Sequence, residues 1–594
     1  MRIYTVMKQI RLAAALLVFA LCAGLQTLSQ RAIAQEAPPR FVPVTDAMLQ
    51  KPDPADWLMW RRTLDTWGYS PLDQITANNV RGLTLAWTRP LGPGIQEGTP
   101  LVRGGIMYFP NPSDLIQALN ARTGDLIWEY RRKLPEDLGK FFPVPAINRN
   151  IAIHGNLIID TSADDYVFAL NAQTGELAWE TKIMEYQKGA QQTSGPIIAN
   201  GKIISGRGCE PEGGPEACVI TAHDAATGKE LWRTRTIPAP GEPGADTWGD
   251  VPYAERLHVG TWLVPSFDPV LNMIYVGTSV SSPAPKYLLG GNDAKHLYHN
   301  STLALNADTG KIVWYYQHVV DHWDLDHPFE RILVDTAVTP NASEVRWINP
   351  RIRPGERRRV ITGVPGKTGL VYTLDRETGE FLWARPTVLQ TVISNIDGAT
   401  GAVTVNPDSL FNKPGDTRFI CPTTNGGKNW ETAAYSPLTN MMYVPLQNTC
   451  METTAVAETR QKTSLYGISN KNQIATGTDN VGTVFAISAE TGVTAWKFEQ
   501  RAGTTSQLAT GGGLLFGGDV NGRFRALDQR TGKVLWEVNL GSAVTGYPIA
   551  FAVNGRQYVA VSTGTSLATG GTSRLTPELR PGAGNNLFVF ALAN

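Results

Sequence analysis

The most polar cluster of potentially reactive side chains in the 594-residue chain is residues 321–327, Asp-His-Trp-Asp-Leu-Asp-His. If this backbone is extended, Asp324 and Asp326 point to the same side, because alternate side chains of an extended segment share a face. Two carboxylates so placed repel each other unless a cation or a proton lies between them. A solvated acidic loop is the plain interpretation of such a stretch. The two histidines and the tryptophan inside it favour a functional site.

A second candidate is Glu210, in a glycine-rich stretch that also contains Cys209 and Cys218. Carboxylate oxygens suit a hard cation such as Ca²⁺. The two cysteines can pair and clamp the stretch around Glu210; the alternative is two unpaired buried thiols, which is less compatible with export. Cys421 and Cys450 flank a second loop and also predict a disulfide.

Lys367 lies in Gly-Val-Pro-Gly-Lys-Thr-Gly, which is close to a phosphate-binding loop. However, Ile361 occupies the position where that motif requires its first glycine, so we expect a cation on a loop and not a nucleotide anchor. Zinc-protease spacing and a nucleophile-elbow motif are absent from the sequence. The balanced charge, 53 basic and 53 acidic residues, provides no basic surface for nucleic acid.

The elements that must position these residues are indicated by an internal repeat. Each copy predicts a strand, a Thr-Gly turn and a second strand that ends in tryptophan. The seven copies are ALNARTGDLIW (118–128), ALNAQTGELAW (169–179), AHDAATGKELW (222–232), ALNADTGKIVW (304–314), TLDRETGEFLW (373–383), AISAETGVTAW (486–496) and ALDQRTGKVLW (526–536). The constant place of the tryptophan predicts a packing wedge between neighbouring units.

The two ends of the chain supply the halves of an eighth copy. Residues 586–594 stop at the polar step, and residues 82–87 provide the missing second strand. We therefore predict an all-β, eight-bladed β-propeller that is closed by its N- and C-terminal strands. One ring is one domain, residues 35–594, although the length alone suggests about four. The spacing between copies leaves long loops at residues 246–264, 281–300, 321–328 and 387–418, and such loops are usually functional.

Residues 1–34 resemble a secretory signal peptide. Three basic residues precede an apolar run over 12–25, and Ala-Ile-Ala at 32–34 follows. The run is shorter than the about 20 residues that a membrane span needs, so we expect export without stable membrane insertion, and a periplasmic location. Four cysteines remain after residue 34, and no Cys-x-x-Cys-His motif for covalent haem is present.

The repeat, the Asp-His-Trp-Asp-Leu-Asp segment, Gly-Gly-Lys-Asn-Trp at 426–430 and the Cys421–Cys450 pair together resemble the quinoprotein alcohol dehydrogenases. The resemblance covers essentially the whole chain after residue 34. It implies an enzyme that binds pyrroloquinoline quinone (PQQ) and a metal ion at the centre of an eight-bladed propeller. The repeat alone is weaker evidence, because propellers without catalytic activity also carry it.

The resemblance also implies roles for individual residues. Asp324 corresponds to the base that takes the alcohol proton, and Glu210 to a metal-binding glutamate, with Asp324 and Asp326 beside the same ion. The implied PQQ-binding residues are Glu97, Arg149, Thr193, Trp262, which stacks on the quinone plane, Lys367, which bonds the quinone oxygens, and Asn429 and Trp430. A planar tricarboxylate needs such an aromatic face and such cations.

Four departures from the family pattern change the expected site. Pro143-Val144 stand where the family often has two adjacent cysteines, so we expect Gly208 and Cys209, or the Cys209–Cys218 bridge, to cover that face of the cofactor. Val280 and the two serines after it replace a metal-binding asparagine, and Thr504 stands near the tryptophan that roofs the pocket of methanol-oxidising relatives. Asp326 corresponds to an extra ligand of the lanthanide-dependent branch. The usual lanthanide shell in the family also includes the asparagine that is missing here, so we expect Ca²⁺, with a lanthanide ion as the alternative.

The sequence thus predicts oxidation of a primary or secondary alcohol, including a bulky alcohol, sugar or polyol. Asp324 would accept the proton, and hydride would pass to C5 of PQQ, polarised by the ion on Glu210. Electrons would leave to a separate cytochrome c or a quinone. A propeller scaffold for protein interactions without enzymatic activity is the alternative, and a quinoprotein that has lost its metal is a third possibility.

Overall fold

Each of the seven repeats forms two neighbouring antiparallel strands of one sheet. The computed structural model describes residues 41–142, 147–320, 323–456 and 467–593. The predicted signal peptide, Pro143-Val144 and the first two residues of the 321–327 cluster lie outside these ranges. The regular structure of the described chain is mainly β-strand, with two α-helices, α1 (Asp46–Gln50) and α2 (Leu567–Leu575). No helix in the described ranges has the length and apolar character that crossing a bilayer requires.

Eight sheets of four or five strands contain most of the described strand residues. Sheet A contains Leu101–Arg103, Ile106–Asn111, Leu115–Asn120 and Leu126–Arg131; sheet B contains Ala152–His154, Leu157–Thr161, Tyr166–Asn171 and Leu177–Lys182; sheet C contains Ile197–Ala199, Lys202–Ser205, Val219–Asp224 and Glu230–Arg235; sheet D contains Ser266–Asp268, Met273–Gly277, Ser301–Asn306 and Ile312–Gln317. Sheet E contains Ile332–Val338, Glu356–Gly363, Leu370–Asp375, Phe381–Pro386 and Trp347–Ile348; sheet F contains Ala434–Ser436, Met441–Gln447, Gly482–Ser488 and Thr494–Gln500; sheet G contains Tyr69–Ser70, Leu508–Thr510, Leu514–Gly518, Arg523–Asp528 and Val534–Asn539; sheet H contains Ile549–Val553, Arg556–Thr563, Asn586–Leu592 and Leu83–Pro90.

The loops between these sheets carry short elements of their own. The strands are Ala190–Gln191 with Gly208–Cys209, Ile393–Ile396 with Val403–Val405, and the sheet of Thr417–Ile420, Thr449–Ala455 and Ile468–Ile474. The short 3₁₀ segments are Val80–Gly82, Leu138–Lys140, Tyr186–Lys188, Pro211–Gly213, Pro215–Ala217, Ala245–Trp248, Tyr253–Glu255, Lys286–Leu289 and Pro407–Ser409. The predicted loop at 387–418 therefore contains a hairpin, which the repeat pattern could not indicate.

Strand sequences differ with position in the sheet. Every residue of Ile106–Asn111, an inner strand of sheet A, is buried, whereas exposure varies along the outermost strand, Leu126–Arg131. Inner strands are covered by other sheets on both faces, so they read as nearly continuous apolar runs. This outermost strand buries Trp128 and exposes Leu126, Glu129 and Arg131.

The tryptophan of one sheet packs against the turn glycine of the next, as the sequence predicted. Gly124 has φ of 80°, and a β-carbon there would lie 2.6 Å from the Trp87 ring, so both the turn and the contact require glycine. The Trp128 indole N–H donates to the Ala172 carbonyl at 3.0 Å. The other glycine–tryptophan contacts join Gly175 to Trp128, Gly228 to Trp179, Gly310 to Trp232, Gly379 to Trp314, Gly492 to Trp383 and Gly532 to Trp496.

Sheet H joins the two ends of the described chain. Leu83–Pro90 pairs antiparallel with Asn586–Leu592 in a register that places Trp87 opposite Val589. Sheet G reaches the same sheet, because the rings of Trp536 and Phe590 meet edge to face at 5.3 Å. The prediction that the terminal strands share one sheet is confirmed.

Candidate active site

Asp324 and Asp326 share one ammonium group. Lys367 Nζ contacts Asp324 Oδ1 and lies 3.0 Å from Asp326 Oδ2, and all three side chains are largely buried. Asp326 also accepts a hydrogen bond from the Val280 N–H through Oδ1, at 3.1 Å. The Lys367 ammonium therefore places one positive charge between the two neighbouring carboxylates.

Of the three charged side chains, Asp326 and Lys367 keep their charges, and Asp324 can exchange a proton. Burial raises the pKa of Asp324 to about 6; the Lys367 ammonium opposes this rise and the Asp326 charge adds to it. Burial also raises the pKa of Asp326. The charges of Lys367 and then His258 outweigh that effect and hold the pKa of Asp326 below its ordinary value. Burial alone would lower the pKa of Lys367, but the two carboxylates outweigh that effect and raise it above the ordinary value.

Backbone contacts bring Lys367 and the 426–430 segment together. The Gly427 N–H donates to the Lys367 carbonyl at 2.8 Å, and the Lys367 N–H donates to the Asp326 carbonyl at 2.9 Å. Gly426 has φ of 85°, and a β-carbon there would lie 2.8 Å from the Lys367 α-carbon. Glycine is needed at 426 so that the two loops can approach this closely.

A buried ion pair fixes the segment that carries Asn429 and Trp430. Lys428 Nζ lies 2.6 Å from Glu330 Oε2, with both side chains essentially inaccessible to solvent. The other Glu330 oxygen accepts the Ala433 N–H at 2.9 Å. Asn429 donates to the Asn425 carbonyl at 2.9 Å, and its own amide oxygen accepts the Trp430 N–H at 2.9 Å. The two residues are thus held by the backbone.

Four of the predicted cofactor residues form a second group. Arg149 Nη2 lies 2.7 Å from Glu97 Oε2 in a fully buried ion pair. The Arg149 guanidinium also donates to the Thr193 carbonyl at 3.2 Å and lies over the Trp262 ring, 5.2 Å from its centroid. An arginine between a carboxylate and an indole face has its orientation fixed from two sides.

Phe329 connects the two groups. Its ring meets Trp262 edge to face at 5.6 Å, and Lys428 Nζ lies 4.8 Å from the Phe329 centroid. Tyr547 packs against Trp430 at 5.6 Å. Burial raises the pKa of Glu431 to about 7, and the Glu97 charge adds to this rise. The predicted cofactor residues therefore lie around one buried, charged interior.

Glu210 stands at the edge of this arrangement. The Cys209–Cys218 disulfide forms as the sequence predicted, as does Cys421–Cys450. Gly208–Cys209 pairs with Ala190–Gln191, two residues before Thr193. Burial raises the pKa of Glu210, and His258 partly offsets that rise. Among the residues described, no three His, Cys, Asp or Glu side chains are gathered as a metal cluster, so Glu210 is not brought into one with Asp324 and Asp326.

Sequence reasoning missed several charged residues of the site. Lys428 and Glu431 lie within or beside the 426–430 motif, so that motif could have drawn attention to them. Glu330, two residues beyond the predicted 321–328 loop, and His258, within the 246–264 loop, carry no pattern of their own. Their partners come from segments distant in sequence, which only the fold brings together.

Comparison with known proteins identifies the family. The family model for the PQQ glucose/ethanol/alcohol dehydrogenase β-propeller domain matches residues 57–392 and 499–559. The chain is 31% identical over 547 residues to the dehydrogenase subunit of an alcohol dehydrogenase (quinone) from Komagataeibacter europaeus, covering 86% of this chain and 72% of that protein. Among solved structures, the quinohemoprotein alcohol dehydrogenase ADHIIG from Pseudomonas putida HK5 superimposes with a TM-score of 0.82 at 28% identity, covering 93% of this chain and 83% of that one. A europium-containing methanol dehydrogenase gives 0.82 at 27% identity, covering 92% and 99%.

The fold and these matches define an all-β protein with a β-propeller domain. The chain belongs to the family of PQQ-dependent dehydrogenases that act on alcohols, and it is a quinoprotein oxidoreductase.

Proposed function

We propose that this chain is an exported, PQQ- and metal-dependent dehydrogenase that oxidises a primary or secondary alcohol to the carbonyl, with Asp324 as the base. The observation that carries the proposal is the buried Asp324–Lys367–Asp326 group, in which one carboxyl has a pKa raised to about 6. A general base works best when its pKa lies near the working pH. We propose that residues 1–34 of the chain are a signal peptide and that residues 35–594 form a single domain.

The domain is an eight-bladed ring in this proposal. Sheets A to H would be the blades, in sequence order. The glycine–tryptophan contacts support it, because each links one sheet to the next from sheet H through sheet G. The Trp536–Phe590 contact then links sheet G back to sheet H. A ring closed by a shared terminal sheet leaves no long unpaired strand edge.

Buried polar atoms that lack hydrogen-bond partners among the described residues support binding of PQQ in this interior. Arg149 Nε and Trp430 Nε1 are buried donors without a hydrogen-bond partner among the described residues, and both Gln96 amide atoms are unpartnered as well. Buried donors without acceptors are rare in folded proteins. A planar tricarboxylate offers the missing acceptors, and Trp262 offers an aromatic face. Glu97, Arg149, Thr193, Trp262, Lys367, Asn429 and Trp430 are the proposed cofactor residues, with Gly208 and Cys209 against the ring. PQQ held by these residues would supply the two-electron acceptor that the oxidation of the alcohol requires.

Glu210, Asp324 and Asp326 are the proposed metal ligands. A set of carboxylate oxygens suits a hard cation, and we propose Ca²⁺, with a lanthanide ion as the alternative. The ion supplies Lewis acidity toward the reactive carbonyl. One similar structure is a europium-containing methanol dehydrogenase, which makes the lanthanide a specific alternative.

The side chains of the chain itself hold and move the proton. Asp324 accepts the substrate hydroxyl proton, which its pKa permits at neutral pH. Lys367 keeps the carboxylate in place and stays charged throughout. Trp262, over which Arg149 lies, packs edge to face against Phe329 on that side of the site.

The sequence also supports a proposal for the substrate class and for the electron acceptor. Thr504 in place of a roofing tryptophan supports a substrate larger than methanol, including a sugar or polyol. Electrons pass to a separate cytochrome c or a quinone in the periplasm.

The proposal is tested by titrating PQQ into the purified protein with Ca²⁺ or La³⁺ and recording the quinone absorbance and the dye reduction with a panel of alcohols. We expect one PQQ per chain and turnover that requires both PQQ and the ion. Absence of PQQ binding under every metal condition would contradict the proposal and would favour a propeller scaffold without enzymatic activity.

A further inference from the structure

His327 is the last residue of the polar cluster found in the sequence, and the proposed function gives it no role. It lies on a loop, residues 323–331, that contains no helix or strand. Backbone carbonyls on such a loop need hydrogen-bond donors from outside any regular ladder. His327 Nδ1 lies 2.6 Å from the Leu325 carbonyl. Because Leu325 separates Asp324 from Asp326, this bond restrains the backbone between the two carboxylates.

The imidazole of His327 is a donor at Nδ1. A carbonyl oxygen only accepts, so the ring hydrogen lies on Nδ1 and Nε2 is left as an acceptor. Nε2 faces the Thr368 hydroxyl at 3.4 Å, and Thr368 directly follows Lys367. The ring is fully buried. It therefore lies between the segment that carries the two carboxylates and the segment that carries their cation.

The segment that carries Lys367 leaves room for this ring. A β-carbon at Gly366 would lie 2.2 Å from Cδ2 of His327, far inside van der Waals contact. Gly366 is not among the residues with a positive φ, so the backbone conformation alone does not require glycine there. The space that the imidazole occupies does. One glycine of the Gly-Val-Pro-Gly-Lys-Thr-Gly motif is thus explained by its contact with His327.

A second histidine supports the His327 ring. His318 stacks on it with the ring planes 7° apart and the centroids 5.2 Å apart. Thr302, in sheet D, accepts two bonds from the Arg331 guanidinium at 3.2 and 3.0 Å, so its own hydroxyl hydrogen points to His318 Nε2 at 2.8 Å. Arg331 Nη2 also donates to the His327 carbonyl at 2.6 Å. The ring and the main chain of His327 are therefore both anchored to sheet D.

We propose that His327 is a positioning residue, which holds the Leu325 carbonyl and so keeps Asp324 against Lys367. When this donor is removed, the backbone between the two carboxylates loses a restraint, and they no longer both face the ammonium. The inference rests on the proposed function, because it assigns His327 to the same reaction. The donor at Nδ1 is the feature that it requires, so a smaller side chain with the same donor should replace the ring.

The test compares two replacements in the full-length protein, loaded with PQQ and Ca²⁺ to equal occupancy. His327→Leu removes the donor at similar volume, whereas His327→Asn keeps an N–H donor at the position of Nδ1. We expect His327→Leu to lower the single-turnover rate of alcohol oxidation by about 10- to 100-fold, with KM for the alcohol within about threefold of wild type, because a reacting group is misplaced. His327→Asn should restore the rate to within about threefold of wild type. His223→Leu, at a buried histidine of sheet C, is the matched control and should keep the wild-type rate.

The ammonium signal of Lys367 gives a readout that requires neither turnover nor PQQ. An ammonium group held by two buried carboxylates is shielded from exchange with water, so its ¹⁵N-bound hydrogens are observable by NMR in protein with ¹⁵N-labelled lysine. We expect the signal, assigned with Lys367→Met, in wild type and in His327→Asn, and its loss in His327→Leu. Lys428, paired with Glu330, provides a reference signal that should persist in all three proteins.

The outcomes separate the two proposals. A wild-type rate in His327→Leu, or a Lys367 signal that survives in it, overturns the positioning role. Losses as large in His327→Asn as in His327→Leu overturn it too, because the ring volume would then matter and not the donor. If His327→Leu does not fold, ring-nitrogen NMR of the wild type decides, since hydrogen on Nε2 of His327 in place of Nδ1 overturns the inference. Wild-type protein that binds no PQQ overturns the proposed function, and the Lys367 signal then tests the positioning by itself.

Discussion

Replacing Lys428 by methionine tests how the site is held in place. The Lys428 ammonium lies 2.6 Å from a Glu330 oxygen, and neither side chain has appreciable contact with solvent. Glu330 lies on the chain just after Asp324 and Asp326, and Lys428 directly precedes Asn429. The pair therefore ties together the two segments that carry the base and the predicted cofactor contacts.

The expected size of the effect follows from the burial. Removing one partner of a buried ion pair leaves an uncompensated charge and costs about 3–5 kcal/mol. Methionine keeps the length of the lysine chain, so a cavity contributes little. The unfolding entropy is about 2.1 cal/mol/K per residue, or about 1.2 kcal/mol/K for a chain of this length. Dividing the lost free energy by this entropy gives a fall in the melting temperature of about 2.5–4 °C.

Differential scanning calorimetry at one scan rate, with the disulfides intact, measures the change. Lys428→Met combined with Glu330→Gln should recover at least half of the loss, because the buried charge is then removed and the glutamine oxygen can still accept the Ala433 N–H. Lys533→Met, at an exposed turn, is the matched control and should change the melting temperature by less than about 0.5 °C. A double variant as unstable as Lys428→Met alone would refute the reasoning.

Three further predictions concern the frame of the protein. Burial raises the pKa of Asp114 to about 7, above its ordinary value, so its contribution to stability is complete below about pH 4 and is lost as the pH rises through 7. In wild-type protein the free energy of unfolding should therefore decline between pH 4 and 8. Asp114→Asn should reduce that decline by up to about 4 kcal/mol in unfolding titrations, and an unchanged decline would contradict the raised pKa of Asp114. Cys450→Ser opens a loop of 29 residues and Cys218→Ser one of 9, so the loop-entropy model predicts losses of about 3.5 and 2.5 kcal/mol; the reverse order in denaturant unfolding would count against it. Gly532→Ala places a β-carbon 2.6 Å from the indole of the preceding sheet, whereas Gly541→Ala, at a similar φ, meets nothing within 4 Å. Gly532→Ala should therefore lower the melting temperature clearly more, and equal shifts would show that the indole contact is unimportant.

The repeat predicted the sheets well because it records a local physical requirement. Each turn needs a left-handed residue, and each neighbouring tryptophan needs that residue to have no side chain, so glycine recurs at Gly124 and its equivalents. The terminal strands and both disulfides were also predictable, because the missing halves of one repeat and the paired cysteines are visible in the sequence.

The site was less predictable, because its contacts join residues that the sequence separates widely. The sequence showed that Asp324 and Asp326 need a cation, but not that Lys367, more than forty residues away, provides it. The partnership of Glu330 with Lys428 spans 98 residues and follows no motif. His258 gives no sequence signal at all, since its left-handed backbone exists only in the fold.

The central claim is that Asp324 is the base of a PQQ-dependent alcohol oxidation, and one comparison tests it most directly. Wild-type protein and Asp324→Asn are loaded with PQQ and the same metal ion to equal occupancy, and the single-turnover rate of alcohol oxidation is measured for each. Loss of a general base costs about 10²- to 10⁴-fold. We predict a fall in that range at equal PQQ occupancy. A variant that binds PQQ and oxidises alcohol within about threefold of the wild-type rate would contradict the role of Asp324.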